Sequence, residues 1–302
     1  MVGAERGRRR TAVGAAGGRM RGRGWRAQSP AALGLGLATP ALLLVAALVI
    51  IPIGLLFAGA FDADGRRVLA DLVTDSVERA ALARTLWVSL AVAVVATGLG
   101  SILAWAMCVT RSALWRALLW LAVLAPFWMS VVVKNYAFVL LLRSNGPVAT
   151  ILERLGLSET KNGLLYTNSA VVLAMVYAML PYAVLPMYAA LSGIDRTLLQ
   201  AAEVAGASRA RALVDVVAPL AARSALSTAT LVFVIGLGFY ITPVILGGPG
   251  KPFVASLVGT HIFDRYDLGG AQALACALLA VALLAVGASQ FAARYLPKGA
   301  GA

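Results

Sequence analysis

The chain has 302 residues, 61% hydrophobic and only 13% charged, with a formal net charge of +13 and a mean hydropathy of +0.86. That balance excludes a soluble globular domain and places the chain in a lipid bilayer. The positive charge is not laid out as a basic face interleaved with aromatics, which argues against nucleic acid as a partner; eight arginines precede Gln28, as in a flank held on the inner side of a membrane.

Residues 1–32 are rich in Arg, Gly and Ala without apolar periodicity and read as a disordered cytoplasmic tail, able to lie against anionic lipid. Leu33 to Phe57 is the first apolar block. The Arg residues before it and Ala58-Gly59-Ala60 after it resemble a signal peptide, but its length suits an uncleaved span better than a short h-region. Further blocks run from Thr85 to Val109, Ala117 to Leu142, Ala170 to Ala190, Ala221 to Leu246 and Gly269 to Ala293. As helices, each is long enough to cross about 30 Å of hydrocarbon. The expected fold is therefore all-α and polytopic, with about six transmembrane helices over residues 33–295.

Six spans put both termini on one side. With the N-terminus inside, the inner segments hold 16 basic residues and the outer segments nine, so the charge bias favours cytoplasmic termini. On the outer side, Phe61 to Arg84 is mixed in charge and amphipathic, Ser144-Asn145-Gly146-Pro147 is turn chemistry before a helical pattern at Val148 to Leu155, and Gly247-Gly248-Pro249-Gly250 opens the last loop. These surfaces either dock an external partner or simply join spans.

No catalytic constellation is present. His261 is the sole histidine, which excludes His-pair zinc sites and His-containing metal triads, and nothing in the sequence suggests a Ser-His-Asp nucleophile. Gly250-Lys251 is not the end of a P-loop, because Ile245 stands where a glycine is required and Pro252 where Ser or Thr is. Any ATP-driven step would use a nucleotide site on another chain. Cys108 and Cys276 fall inside apolar blocks and read as small buried hydrophobes.

Lys134 is the clear ionisable residue within a predicted span, where insertion costs about 2.5–3.5 kcal/mol at a helix centre. Two readings fit it: its stem snorkels to the outer interface, or it lines a polar cavity with Asn135 and Tyr136. Pro126, Pro181 and Pro186 are expected to interrupt the third and fourth spans, and Pro243 lies near the outer end of the fifth. Phe127, Trp128, Tyr136, Tyr177, Tyr182, Phe239 and Tyr240 cluster near these breaks, either as a cation-binding aromatic lining or as an interfacial belt. Phe127, Trp128, Lys134, Asn135, Tyr136, Tyr177, Pro181, Tyr182, Tyr240 and Pro243 are thus the candidate translocation-pathway residues.

Residues 192–219 are the long polar-rich stretch between apolar blocks that carries helix punctuation. Gly193 to Gly206 reads as one short helix, with Asp195 capping its start, Leu198, Leu199, Ala202 and Ala205 on one face, and Gly206 as its stop. Ser208 caps a second helix that is expected to end before Pro219. The stretch is a rigid knob able to transmit force.

Gln200-Ala201-Ala202, Gly206, Val216, Ala218 and Pro219, in that spacing, resemble the EAA loop of bacterial ABC-importer permeases. Glutamine replaces the usual glutamate, Ala218 replaces a larger aliphatic, and Glu203 follows about one turn later. Pro126 to Leu157 and Ile241 to Pro249 are similar to the spermidine/putrescine branch of the type I importers, over roughly Leu33 to Ala293.

The resemblance implies a cytoplasmic coupling helix that docks on an ATPase, with Gln200, Ala201, Ala202, Glu203, Gly206, Ala207, Ser208 and Pro219 as the coupling residues. It also implies two ATPase subunits, which would carry the ATP and Mg, a second and distinct permease half, and a periplasmic solute-binding protein. This chain itself would be a non-catalytic subunit in the bacterial inner membrane that binds no cofactor. A polyamine is the solute it suggests; because none of the six predicted spans contains Asp or Glu, another solute such as a phosphonate or amino-acid derivative stays open, as does, more remotely, a secondary transporter.

Overall fold

The computed structural model describes residues 30–154, 164–248 and 250–296. Among them all regular structure is helical. The first 29 residues of the Arg-rich tail, and the end of the helical pattern at Leu155, lie outside the described residues.

The chain divides into two units, one ending at Ile51 and one beginning at Pro52. The first contributes most of helix α1 (Pro30–Ala60), which runs unbroken through Pro40 and exposes Leu42, Leu43, Leu44 and Leu48.

The second unit begins with the last turns of α1 and continues into α2 (Ala63–Thr74) and α3 (Ser76–Val109). Asp75 joins the latter two: its amide closes α2 onto the Asp71 carbonyl, and its carboxylate accepts from the Val77 amide to start α3. The mixed-charge stretch after the first span is therefore a helix plus the first turns of the second span. Val68 and Leu72 of α2 turn inward against Ala60 and against α13 (Leu268–Ala293).

The long helices α3, α7 (Asn168–Ser192) and α10 (Ala218–Leu237) form the core. Small residues let their backbones approach: a Cβ on Gly100 would come within 2.8 Å of Ala183 Cβ, and one on Gly236 within 3.2 Å of Ser89 Oγ. Val88, Val92, Met175 and Val232 fill one end of this three-helix seam, and Met107, Met187, Leu191 and Val217 the other. Pro181 and Pro186 do not interrupt α7, contrary to the sequence expectation. Both are absorbed inside one continuous helix held on two sides by α3 and α10.

The third predicted span is not one helix. It breaks at Met129-Ser130 into α4 (Ala113–Trp128) and α5 (Val131–Leu142), with the chain direction turning by 106° between Ala113–Trp128 and Val131–Ile151. Pro126 removes the amide that would bond the Ala122 carbonyl, α4 ends two residues later at Trp128, and Ser130 begins the next helix without a side-chain cap. After a turn at Ser144–Gly146, α6 (Pro147–Arg154) follows as anticipated.

The fifth predicted span also stops short. α10 ends at Leu237, Gly238 follows, and Ile241–Leu246 forms a separate short helix, α11. α12 (Val254–Phe263) then packs under α3: Val254 N donates to Thr85 Oγ1 at 3.0 Å, and Arg84 Nη1 donates to the Pro252 carbonyl at 2.7 Å. Among the described residues, five helices are long and apolar enough to cross a membrane, or six when the bent pair that begins with α4 and α5 counts as one span.

Candidate functional site

The stretch joining α7 to α10 is a folded knob. Its first helix, α8, covers Arg196–Val204, starting three residues later than the sequence suggested because Asp195 Oδ1 accepts from the Thr197 amide at 2.9 Å. These hydrogen bonds hold the Asp195 carboxyl below the ordinary carboxylate range. The helix closes with a reciprocal pair of bonds: Gly206 N donates to Glu203 O and Ala207 N to Ala202 O, each at 3.0 Å. This is the Schellman arrangement, which needs a left-handed residue just past the helix; Gly206 supplies it at φ +87°. Nothing lies within 4 Å of where its Cβ would be, so the requirement on Gly206 is conformational rather than steric.

The expected apolar face of α8 divides in two. Leu199 is half-buried against the core end formed by Met187 and Leu191, and Ala202 is half-buried as well. Leu198 at 42% and Val204 at 90% exposure point outward, with Gln200, Ala201 and Ala205 exposed around them. An exposed Val at the tip of a capped, rigid helix is an unpartnered surface.

Beyond Gly206, Ser208 Oγ accepts from Arg211 N at 3.3 Å and opens α9 (Arg209–Ala212). The second helix does not end before Pro219. It passes through a π turn at Leu213–Val217, where Ala218 N reaches back to Leu213 O, and continues directly as α10. The cause is the proline: with no amide at 219, a wider turn just before it keeps the helix going while the ladder shifts by one residue. The knob and the fifth span are thus one mechanical piece.

The second candidate region is the α4–α5 break. Lys134 Nζ donates to the Pro126 carbonyl at 2.8 Å, so the ammonium sits on the carbonyl end of α4. Phe127 meets the Tyr182 ring with centroids 5.7 Å apart, Tyr177 OH donates to Met129 Sδ at 3.8 Å, and Phe138 lies edge-on to Tyr177 at 5.6 Å. These residues form a contiguous aromatic border along α7.

Other sequence candidates do not join it. Asn135 is buried, accepts from Thr242 Oγ1 at 2.9 Å, and leaves its Nδ2 without a partner in the seam between α5 and α11. Tyr136 and Trp128 are exposed. Consecutive helical residues point about 100° apart, so Lys134, Asn135 and Tyr136 diverge rather than sharing one cavity. Lys134 turns instead to the Pro126 carbonyl and caps the end of α4. Pro181 and Pro243 are buried, and Tyr240 lies against the α12 backbone, where a Cβ on Gly259 would be 2.9 Å from its ring.

The family model described as the inner membrane component of binding-protein-dependent transport systems matches residues 11–298. The chain belongs to that family. Among the transport components similar to it are the spermidine/putrescine permease PotB of Escherichia coli K12, 26% identical over 50% of this chain and 55% of that protein, and the inner membrane ABC transporter permease YdcU of the same strain, 30% identical over 67% of each. The chain thus spans about half the length of the PotB protein it matches, 55%. In fold, this permease is similar to a chain of a bacterial ABC transporter for alginate, with a TM-score of 0.70 and 20% identity over 88% of this chain and 96% of that one.

The permease also contains a polar cluster that sequence reading missed. At the end of the bundle opposite α8, His261 is buried, with Nδ1 2.9 Å from Asp267 Oδ2 and Nε2 3.4 Å from Arg265 Nη1. Asp267 Oδ1 also accepts from Gly270 N at 2.9 Å and caps α13; these bonds lower its carboxyl pKa from the ordinary value. Asp64, Asp71 and Glu78 line the same cleft of about 570 Å³. The spacing of Asp267 six residues after a lone histidine, immediately before an apolar block, was the available signal. Among the described residues no group of three or more His, Cys, Asp and Glu side chains is arranged to hold a metal.

Proposed function

We propose that this permease is one transmembrane half of an ATP-driven importer for a small organic solute, with a polyamine as the first candidate. The observation that carries the reading is α8, a helix capped at both ends that presents Leu198 and Val204 to the outside while being continuous, through the π turn, with a core span. Such a tip suits an apolar groove on an ATPase subunit, and its rigid attachment would carry the ATPase motion into α10. Gln200, Ala201, Ala202 and Glu203 are the docking segment in this reading, with Gly206, Ala207 and Ser208 setting the angle of exit and Pro219 the π turn.

In this arrangement the α8 end and both termini face the cytoplasm, and two ATPase subunits hold ATP and Mg. A second, distinct permease half completes the pathway along Phe127, Tyr177 and Tyr182, and a periplasmic binding protein delivers the solute. Residues 33–295 form the membrane domain and 1–32 a tail beside anionic lipid. The name of PotB supports spermidine or putrescine. A second reading, an anionic or other organic solute, is favoured by the Lys134 ammonium at the border of the break and by the absence of carboxylates from the six predicted spans. The alginate transporter of similar fold is described as importing an acidic polysaccharide.

The test is purification of the tagged chain from its native membrane in mild detergent, with mass spectrometry of what accompanies it. An ATPase, a second permease and a periplasmic binding protein are expected, and spermidine titrated onto that binding protein decides between the two solute readings. Recovery of the chain alone, stabilised directly by solute, would replace the ATP-driven reading with a secondary transporter.

A further inference from the structure

At the α8 end of the bundle, two cavities of opposite character share a wall. One is a polar cleft of about 550 Å³ between the α3–α4 turn and α8, lined by Arg111, Arg116, Thr110, Ser192, Gln200 and Glu203. The other is a groove of about 410 Å³ along α3, α7 and α10, lined almost wholly by apolar side chains, among them Ile102, Met187, Leu213, Val217 and Ala222. Trp105 and Leu191 border both.

From this pairing we infer that the two cavities are the head and tail subsites of one bound anionic phospholipid. Arg111 follows the last residue of the α3 span by two positions, and Ser192 is the last residue of α7, so the cleft lies where the spans leave the hydrocarbon. Two exposed arginines outweigh the single carboxylate of Glu203 there, and a guanidinium pair matches a phosphate diester. The adjoining groove takes an acyl chain, which a free phosphate does not possess. Trp105, at the junction, belongs to the residue type that favours the glycerol level of a bilayer. The groove is open along the π turn, where Val214 is 68% exposed.

A lipid seated there touches Gln200 with its headgroup and Leu213 and Val217 with its chain, so it bridges α8 to the π turn from outside the protein. The anionic content of the membrane would thereby set how firmly α8 is held against the bundle. This does not require the ATPase to be present.

The experiment is lipid analysis of the full chain purified in mild detergent after exchange into equal amounts of phosphatidylglycerol and phosphatidylcholine. Wild type is expected to retain phosphatidylglycerol selectively; Arg111→Gln and Arg116→Gln should each lower that retention roughly fivefold, the effect of one basic residue at an anionic surface. Ala222→Trp, which fills the groove and leaves both arginines in place, should lower it too. Equal retention by wild type and all three variants, or equal retention of the two lipids by wild type, overturns the site. Protection of wild type against heat by inorganic phosphate alone, as strong as by phosphatidylglycerol, overturns the tail subsite and the lipid assignment with it.

Discussion

Lys134 reaches across the break between α4 and α5 to donate its ammonium hydrogen to the Pro126 carbonyl at 2.8 Å. The Pro126 carbonyl lies in the last turn of α4, where the final carbonyls have no intrahelical donor, and the lysine eight residues later provides one. Lys134→Met should therefore destabilise the detergent-solubilised protein by about 1.5–3 kcal/mol, the range for a hydrogen bond to a charged group. Lys134→Arg should retain most of the stability. Thermal unfolding of the three proteins at one lipid-to-protein ratio checks this, and equal midpoints for wild type and Lys134→Met would remove the capping role.

Asn135 and Thr242 form a buried pair at 2.9 Å between α5 and α11. In a double-mutant cycle with Asn135→Leu and Thr242→Val the coupling should be about 0.6–1.7 kcal/mol, as for interhelical hydrogen bonds in membranes. Each single change leaves a buried polar group stranded, so the double variant should be more stable than the sum of the two single losses predicts.

Gly206→Ala should cost about 1–2 kcal/mol locally, the penalty of a left-handed conformation for an L residue, although the space around it is open. Hydrogen exchange of the α8 amides reads that loss directly. Gly206→Asp should leave the protein inserted yet abolish ATPase association in a pull-down; full association and uptake in that variant would count against a coupling role for α8.

Asp267 has a carboxyl pKa lowered in the folded protein by the Gly270 amide and the His261 ring. A depressed folded pKa contributes stability at pH values above the ordinary carboxylate pKa of about 3.9, and loses it as pH falls through the folded value. Wild type should thus exceed Asp267→Asn in unfolding temperature at neutral pH, and the gap should close on acidification below about pH 4. A gap independent of pH would assign the effect to shape alone.

How much of this was legible beforehand depended on whether the deciding interaction was local. Asp195, Gly206 and Ser208 act within a few residues of themselves, and their capping roles were read correctly from spacing. The six apolar blocks and the helix at Pro147–Arg154 were likewise legible, because hydropathy and turn chemistry are local signals. The breaks were not. Pro181 and Pro186 carry the same sequence signal as Pro126, yet α7 is clasped by α3 and α10 while α4 is free to end. The His261–Asp267 pair, the divergence of Lys134 from Asn135, and the passage of the knob helix through Pro219 depend on neighbours that hydropathy does not name.

The π turn at Leu213–Val217 holds one residue more than an α-helix would over the same length. Were that surplus residue taken up into regular α geometry, everything before it would screw round the α10 axis by about 100° and advance by about 1.5 Å. The Schellman lock at Gly206 would travel with it unaltered. In the proposed coupling role, a pull on α8 would thus turn the knob about the α10 axis in one step rather than stretch it.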